Sequence, residues 1–136
     1  MGVIAPNRKE GKLEVNVEAR KYCAYVLHIT ANNKNFPLEQ NDINSMIRDT
    51  ALDIYTSCWE ANNIRVDNDK ERYNERIRLQ RHAHDKCNAM MALIELAVPL
   101  YHMPNKRCIY WMNQTKALRN KIAAWNKSDE ARLKPE

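Results

Sequence analysis

Between Lys12 and Glu136 the chain contains no glycine; its two glycines are Gly2 and Gly11. Sites that bring backbone against a phosphate, or that need a residue at positive φ, depend on glycine. Phosphate-cradling loops, dinucleotide-binding turns and nucleophile elbows are therefore excluded beyond residue 11. Tight β-hairpins lose their usual turn residue as well. What is left is a series of long segments with apolar residues three and four apart, separated by Asn-rich and Pro-containing breaks, and this is the pattern of an all-α chain. Its 136 residues suffice for one domain, and a hydrophobic content of 44% supplies that domain with a core.

Four helices are predicted. The first covers residues 14–33 and places Val15, Ala19, Tyr22, Val26 and Ile29 in one stripe. After the polar break at Asn32-Asn33-Lys34-Asn35, Pro37 opens the second, which carries Ile43, Ile47, Thr50, Ile54, Cys58 and Ala61 and ends at Asn62-Asn63. Asn68 is expected to cap the third, with Glu71 three residues on. Its seam runs Tyr73, Ile77, Gln80, His84, Cys87, Met91, Ile94, Val98 and Tyr101, and Pro99 should end or kink it in the last turn. The fourth starts at Pro104 and aligns Cys108, Trp111, Thr115, Leu118, Ile122 and Trp125, the last as a core anchor. Short connections between such helices make an up-down-up-down four-helix bundle in which the first and fourth are neighbours. The domain plan is a flexible arm over residues 1–13, the bundle over 14–127 and a charged, fraying tail over 128–136.

Cys23, Cys58, Cys87 and Cys108 fall on four different helices near their apolar faces, without a paired C-x-x-C spacing, which is the pattern of reduced, buried thiols. No apolar run reaches the roughly 18 residues of a membrane span. Residues 1–12 also lack the apolar stretch of a secretion signal. A cytoplasmic location without a membrane partner is expected.

The net charge of +5 is unevenly distributed. Residues 1–34 hold six basic and three acidic side chains (+3), residues 35–66 two and five (−3), residues 67–103 six of each, and residues 104–136 eight and three (+5). Positive charge is thus concentrated on the two helices that the bundle sets side by side. At 100° per residue, Lys106, Asn113, Lys116, Asn120 and Lys127 form one outer stripe of the fourth helix that contains no acid. Arg119 and Lys121 flank it, and Arg20 and Lys21 add charge from the first helix, so these seven basic residues are candidates for contact with a phosphate backbone. Two segments, residues 22–29 and 89–98, are more apolar than one bundle can cover, and predict that copies of the chain pack together.

The order of these features resembles one family. Phe36-Pro37 opens the second helix, Ala61-Asn62-Asn63-Ile64 closes it, a long Arg-rich third helix follows, Met103-Pro104 opens the fourth and Trp125 stands near its end. Over residues 15–127 this is similar to the accessory variability determinant (Avd) proteins of diversity-generating retroelements and to their relatives, the ribosomal-RNA intervening-sequence four-helix-bundle proteins. The resemblance implies a ring-like homopentamer, without catalysis or cofactor, that binds RNA or DNA and a reverse transcriptase during mutagenic copying. The acids at the start of the third helix, Asp67, Asp69, Glu71 and Glu75, depart from an all-basic exterior.

Three other readings compete with that one. Arg78 with His84, and Arg76 with His82, have the arginine-histidine spacing of HEPN ribonucleases, in which histidine moves a proton and arginine holds the scissile phosphate. Three arginines and two histidines within residues 76–84 make such matches cheap, and a place for His84 on the seam predicts a core residue. A metal site on His84 and Cys87 would need two further ligands from other helices, and none is assigned. A protein-binding adaptor that touches no nucleic acid would use the acidic second helix.

Overall fold

The computed structural model describes residues 6–32, 36–37 and 40–136, with side chains described from Glu14 onward. Four α-helices are present among the described residues, and no strand: α1 (Pro6–Thr30), α2 (Asn41–Asn62), α3 (Lys70–Leu100) and α4 (Asn105–Arg132). Each packs against its neighbours in sequence, and α1 also packs against α4, which closes a four-helix bundle. The α1 and α4 stripes are buried as their periodicity requires, from Val15 to Ile29 and from Trp111 to Trp125.

Helix ends depart from the sequence expectation in instructive ways. α1 begins at Pro6 and continues through Gly11, so most of the segment expected to be an arm is helical; residues 1–5 and 33–35 lie outside the described residues. It stops at Thr30, where Arg48 of α2 donates to the Leu27 carbonyl (2.9 Å) and to Thr30 Oγ1 (2.7 Å), satisfying terminal acceptors from a neighbouring helix. Pro37 does not open α2. Its carbonyl accepts from the Gln40 amide and from Asn44 Nδ2, and Asn44 accepts from the Tyr101 hydroxyl at 2.5 Å. Phe36 stands beside this anchor, edge-on to Tyr101 and Trp111 at 5.0 and 6.0 Å, and these rings fill one end of the bundle.

The turn into α3 solves the problem of a missing glycine. Asp67 and Asn68 take φ of 48° and 59°, the left-handed region that Asp and Asn tolerate better than other side chains. Asn68 is therefore a turn residue and not the cap. Asp69 caps α3 instead, accepting from the Arg72 amide at 2.9 Å. Pro99 sits inside the last turn, and the helix closes with the Tyr101 amide on the Ala97 carbonyl.

The buried row of α3 runs Arg76, Gln80, Ala83, Cys87, Met90, Ile94 and Ala97. It shares Gln80, Cys87 and Ile94 with the expected seam, whose Ile77 and Tyr101 are buried as well, and takes the residue before the expected one at 83, 90 and 97. Ala83 and Ala97 occupy the inside, where only small side chains fit between closely packed helices, and His84 and Val98 are displaced to the flank. His84 is 34% exposed and leans on Asp85, so it is not a core histidine.

Opposite the aromatic end lies a polar one. Arg76, 3% exposed, donates from Nε to Asp129 Oδ2 (2.8 Å) and from Nη1 to the Ala61 and Ile64 carbonyls, and its guanidinium lies 5.5 Å from the Trp125 ring centre. Gln80 donates to the same Asp129 oxygen at 2.7 Å and accepts from Asn126. The segment expected to fray is thus built into the core: α4 continues to Arg132, and Asp129 is wholly buried because an arginine inside the bundle requires a carboxylate.

The four thiols are free; Cys23, Cys58 and Cys87 are buried and Cys108 is half-buried. Burial pushes Cys58 and Cys87 up to about 12, with the neighbouring Cys87 adding to the effect on Cys58. No helix among the described residues is long and apolar enough to cross a membrane.

Candidate nucleic-acid interface

The α1/α4 contact is where the basic candidates meet. On α1 the positions 14, 18, 21 and 25 recur at helical spacing, as do 110, 114, 117 and 121 on α4, so each helix presents a second row beside its buried stripe. The helices run antiparallel. Glu14 therefore meets Lys121 at one end (3.6 Å), and Tyr25 meets Tyr110 at the other, edge-on with ring centres 5.4 Å apart. Between them the rows leave a groove of about 260 Å³, lined by Glu18, Lys21, Tyr25, Tyr110, Gln114 and Lys121 among others.

The groove floor is fixed by a buried chain of hydrogen bonds. Trp111 Nε1 donates to the Tyr22 hydroxyl (3.2 Å), which shares a 2.5 Å bond with Thr115 Oγ1, and Thr115 returns to the Trp111 carbonyl at 2.8 Å. Burial raises the Tyr22 hydroxyl far above its ordinary range and holds it neutral. Tyr25 is raised by burial too, opposed by the nearby Arg107 guanidinium. The charged side chains that line the groove are Lys21, Lys121 and Glu18, with Lys121 paired to Glu14 at its end.

The remaining candidates are dispersed around this groove. Lys106, Lys116 and Lys127 are exposed on the outer face of α4, and among the described residues none of them makes an ion pair. Arg119 turns the other way, donating to Asn88 of α3 (3.2 Å) and to Asn120, so it extends the basic face toward α3. Arg20 is exposed 100° around α1 from Lys21, on the side away from the groove. Only Lys21 and Lys121 are brought together. Tyr25, Tyr110, Glu18 and Gln114 were not singled out from the sequence, and the signal that finds them is the pair of matching rows flanking the two stripes.

Each member of the two arginine-histidine pairs has a carboxylate partner of its own. Arg76 is consumed by Asp129 in the core. His82 bonds Asp53 of α2 at 2.8 Å, and Arg78 grips Glu75 on the surface. No cluster of three or more His, Cys, Asp or Glu suited to a metal ion occurs among the described residues.

No protein-family model, curated protein or solved structure matches this chain.

Proposed function

We propose that this chain is a non-catalytic accessory scaffold of the cytoplasm that binds nucleic acid along its α1/α4 face and works as a homo-oligomer beside a reverse transcriptase. The observation that carries nucleic-acid binding is the outer face of α4, where Lys106, Lys116 and Lys127 are exposed and free of ion pairs among the described residues, next to the groove that Lys21 and Lys121 line. Unpaired lysines on an acid-free row suit a polyanion, because each can replace a condensed counterion of the strand. The reverse transcriptase and the ring of five rest on the resemblance in helix order. Exposed Leu96, Val98 and Leu100 at the end of α3 support association of copies, since apolar side chains grouped on one helix end are a surface to be covered.

The test is a salt titration of RNA affinity for the wild type and for a Lys116→Glu/Lys127→Glu variant, with oligomeric state checked in both. Affinity should fall for all sequences alike, and the slope of log K against log salt should flatten by about 0.7 per lost contact on a single strand. Identical affinity and slope would favour a second reading, a protein-binding adaptor. That reading has its own observation: Met46 and Trp59 are exposed on the acidic α2.

A further inference from the structure

We infer that the α1/α4 groove is a stacking site for an unpaired base of single-stranded RNA; this rests on the nucleic-acid reading above and assigns the substrate form. Tyr110 is 52% exposed although it belongs to a groove, and Tyr25 packs edge-on against it. An aromatic ring held from the side by a second ring keeps a face free and loses little freedom when a base lies on it. The groove volume of about 260 Å³ admits a nucleobase-sized ring system, and Lys21 and Lys121 stand on opposite rims where the flanking phosphates would run. A duplex keeps its bases stacked within the helix and cannot offer one to this ring.

The acid in the groove chooses RNA over DNA. Among the described residues nothing bonds the Glu18 carboxylate, and it would repel a phosphate while accepting from a hydroxyl. The ribose 2′-hydroxyl is the donor that RNA has and DNA lacks. Gln114, on the opposite wall, offers a donor and an acceptor to the edge of the base.

The experiment compares affinity for a single-stranded RNA, the RNA duplex of the same sequence and the matching single-stranded DNA, across one series of salt concentrations, for wild type, Tyr110→Leu and Glu18→Gln. Wild type should prefer the single strand to the duplex by about tenfold, equivalent to about 1.4 kcal/mol. Tyr110→Leu, at an exposed position that tolerates the change, should lose that preference with its salt slope intact. Glu18→Gln should narrow the gap between RNA and DNA. Equal binding of single strand and duplex by wild type, or a preference that survives in Tyr110→Leu, would overturn the stacking site and leave the lysine row standing. Equal binding of RNA and DNA would overturn the part given to Glu18, and failure of all three probes to bind would remove the site and the nucleic-acid reading together.

Discussion

The Asp129 carboxylate accepts from Arg76, Gln80 and Arg132, two of them inside the bundle, so its removal would leave the buried Arg76 charge without a counter-charge, held only by the Ala61 and Ile64 carbonyls. Breaking a buried pair by deleting one member is far costlier than the pair's net worth. Asp129→Ala should lower stability by about 3–5 kcal/mol in urea unfolding; a loss under about 1 kcal/mol would mean that water reaches the guanidinium. The thiols make a pH-dependent contribution of definite sign. Folded Cys58 and Cys87 hold their protons up to about 12, whereas the unfolded chain releases them near 9.0. Their contribution is intact below about pH 9 and is lost as pH rises toward 12, because the unfolded state then binds fewer protons. Wild type should lose more stability between about pH 8.5 and about 10.5 than a Cys58→Ala/Cys87→Ala protein, and equal losses would contradict the assignment.

Among the elements, the α2–α3 turn is the most exacting, since it needs two left-handed residues in a region without glycine. Asp67→Val should cost about 1–2 kcal/mol while Asp67→Gly is close to neutral, both measured by urea unfolding; equal effects would place the cost in the Asp67 ion pairs with Arg65 and Arg72 instead. The helices themselves were legible because α1, α2 and α4 each carry one unambiguous apolar row. α3 was legible as a helix and in part of its register: Ile77, Gln80, Cys87, Ile94 and Tyr101 are buried as expected, but the helix packs against both α2 and α4, so two adjacent rows compete and Ala83, Met90 and Ala97 are buried in place of their neighbours. The end of α4 was misread because Asp129 looks like surface charge, although it continues the 111, 115, 118, 122, 125 row by one more step. The charged face of α4 was visible from periodicity. The groove was not, since it arises only when the second rows of two distant helices are set side by side.

For the whole molecule, one bundle leaves Leu96, Val98, Leu100 and Ile109 in water. Light scattering after size exclusion at micromolar concentration should give a multiple of 16.0 kDa, and a stable monomer would contradict the homo-oligomer. The central claim is that nucleic acid runs along the face shared by α1 and α4. Photo-crosslinking of a single-stranded RNA to the intact protein, with crosslinked peptides mapped by mass spectrometry, tests it most directly. Crosslinks should fall on residues of the α1/α4 face such as Lys21, Tyr110, Lys116 and Lys121. Crosslinks confined to α2 and the outer face of α3, or none at all under conditions where a known RNA-binding control crosslinks, would contradict the account.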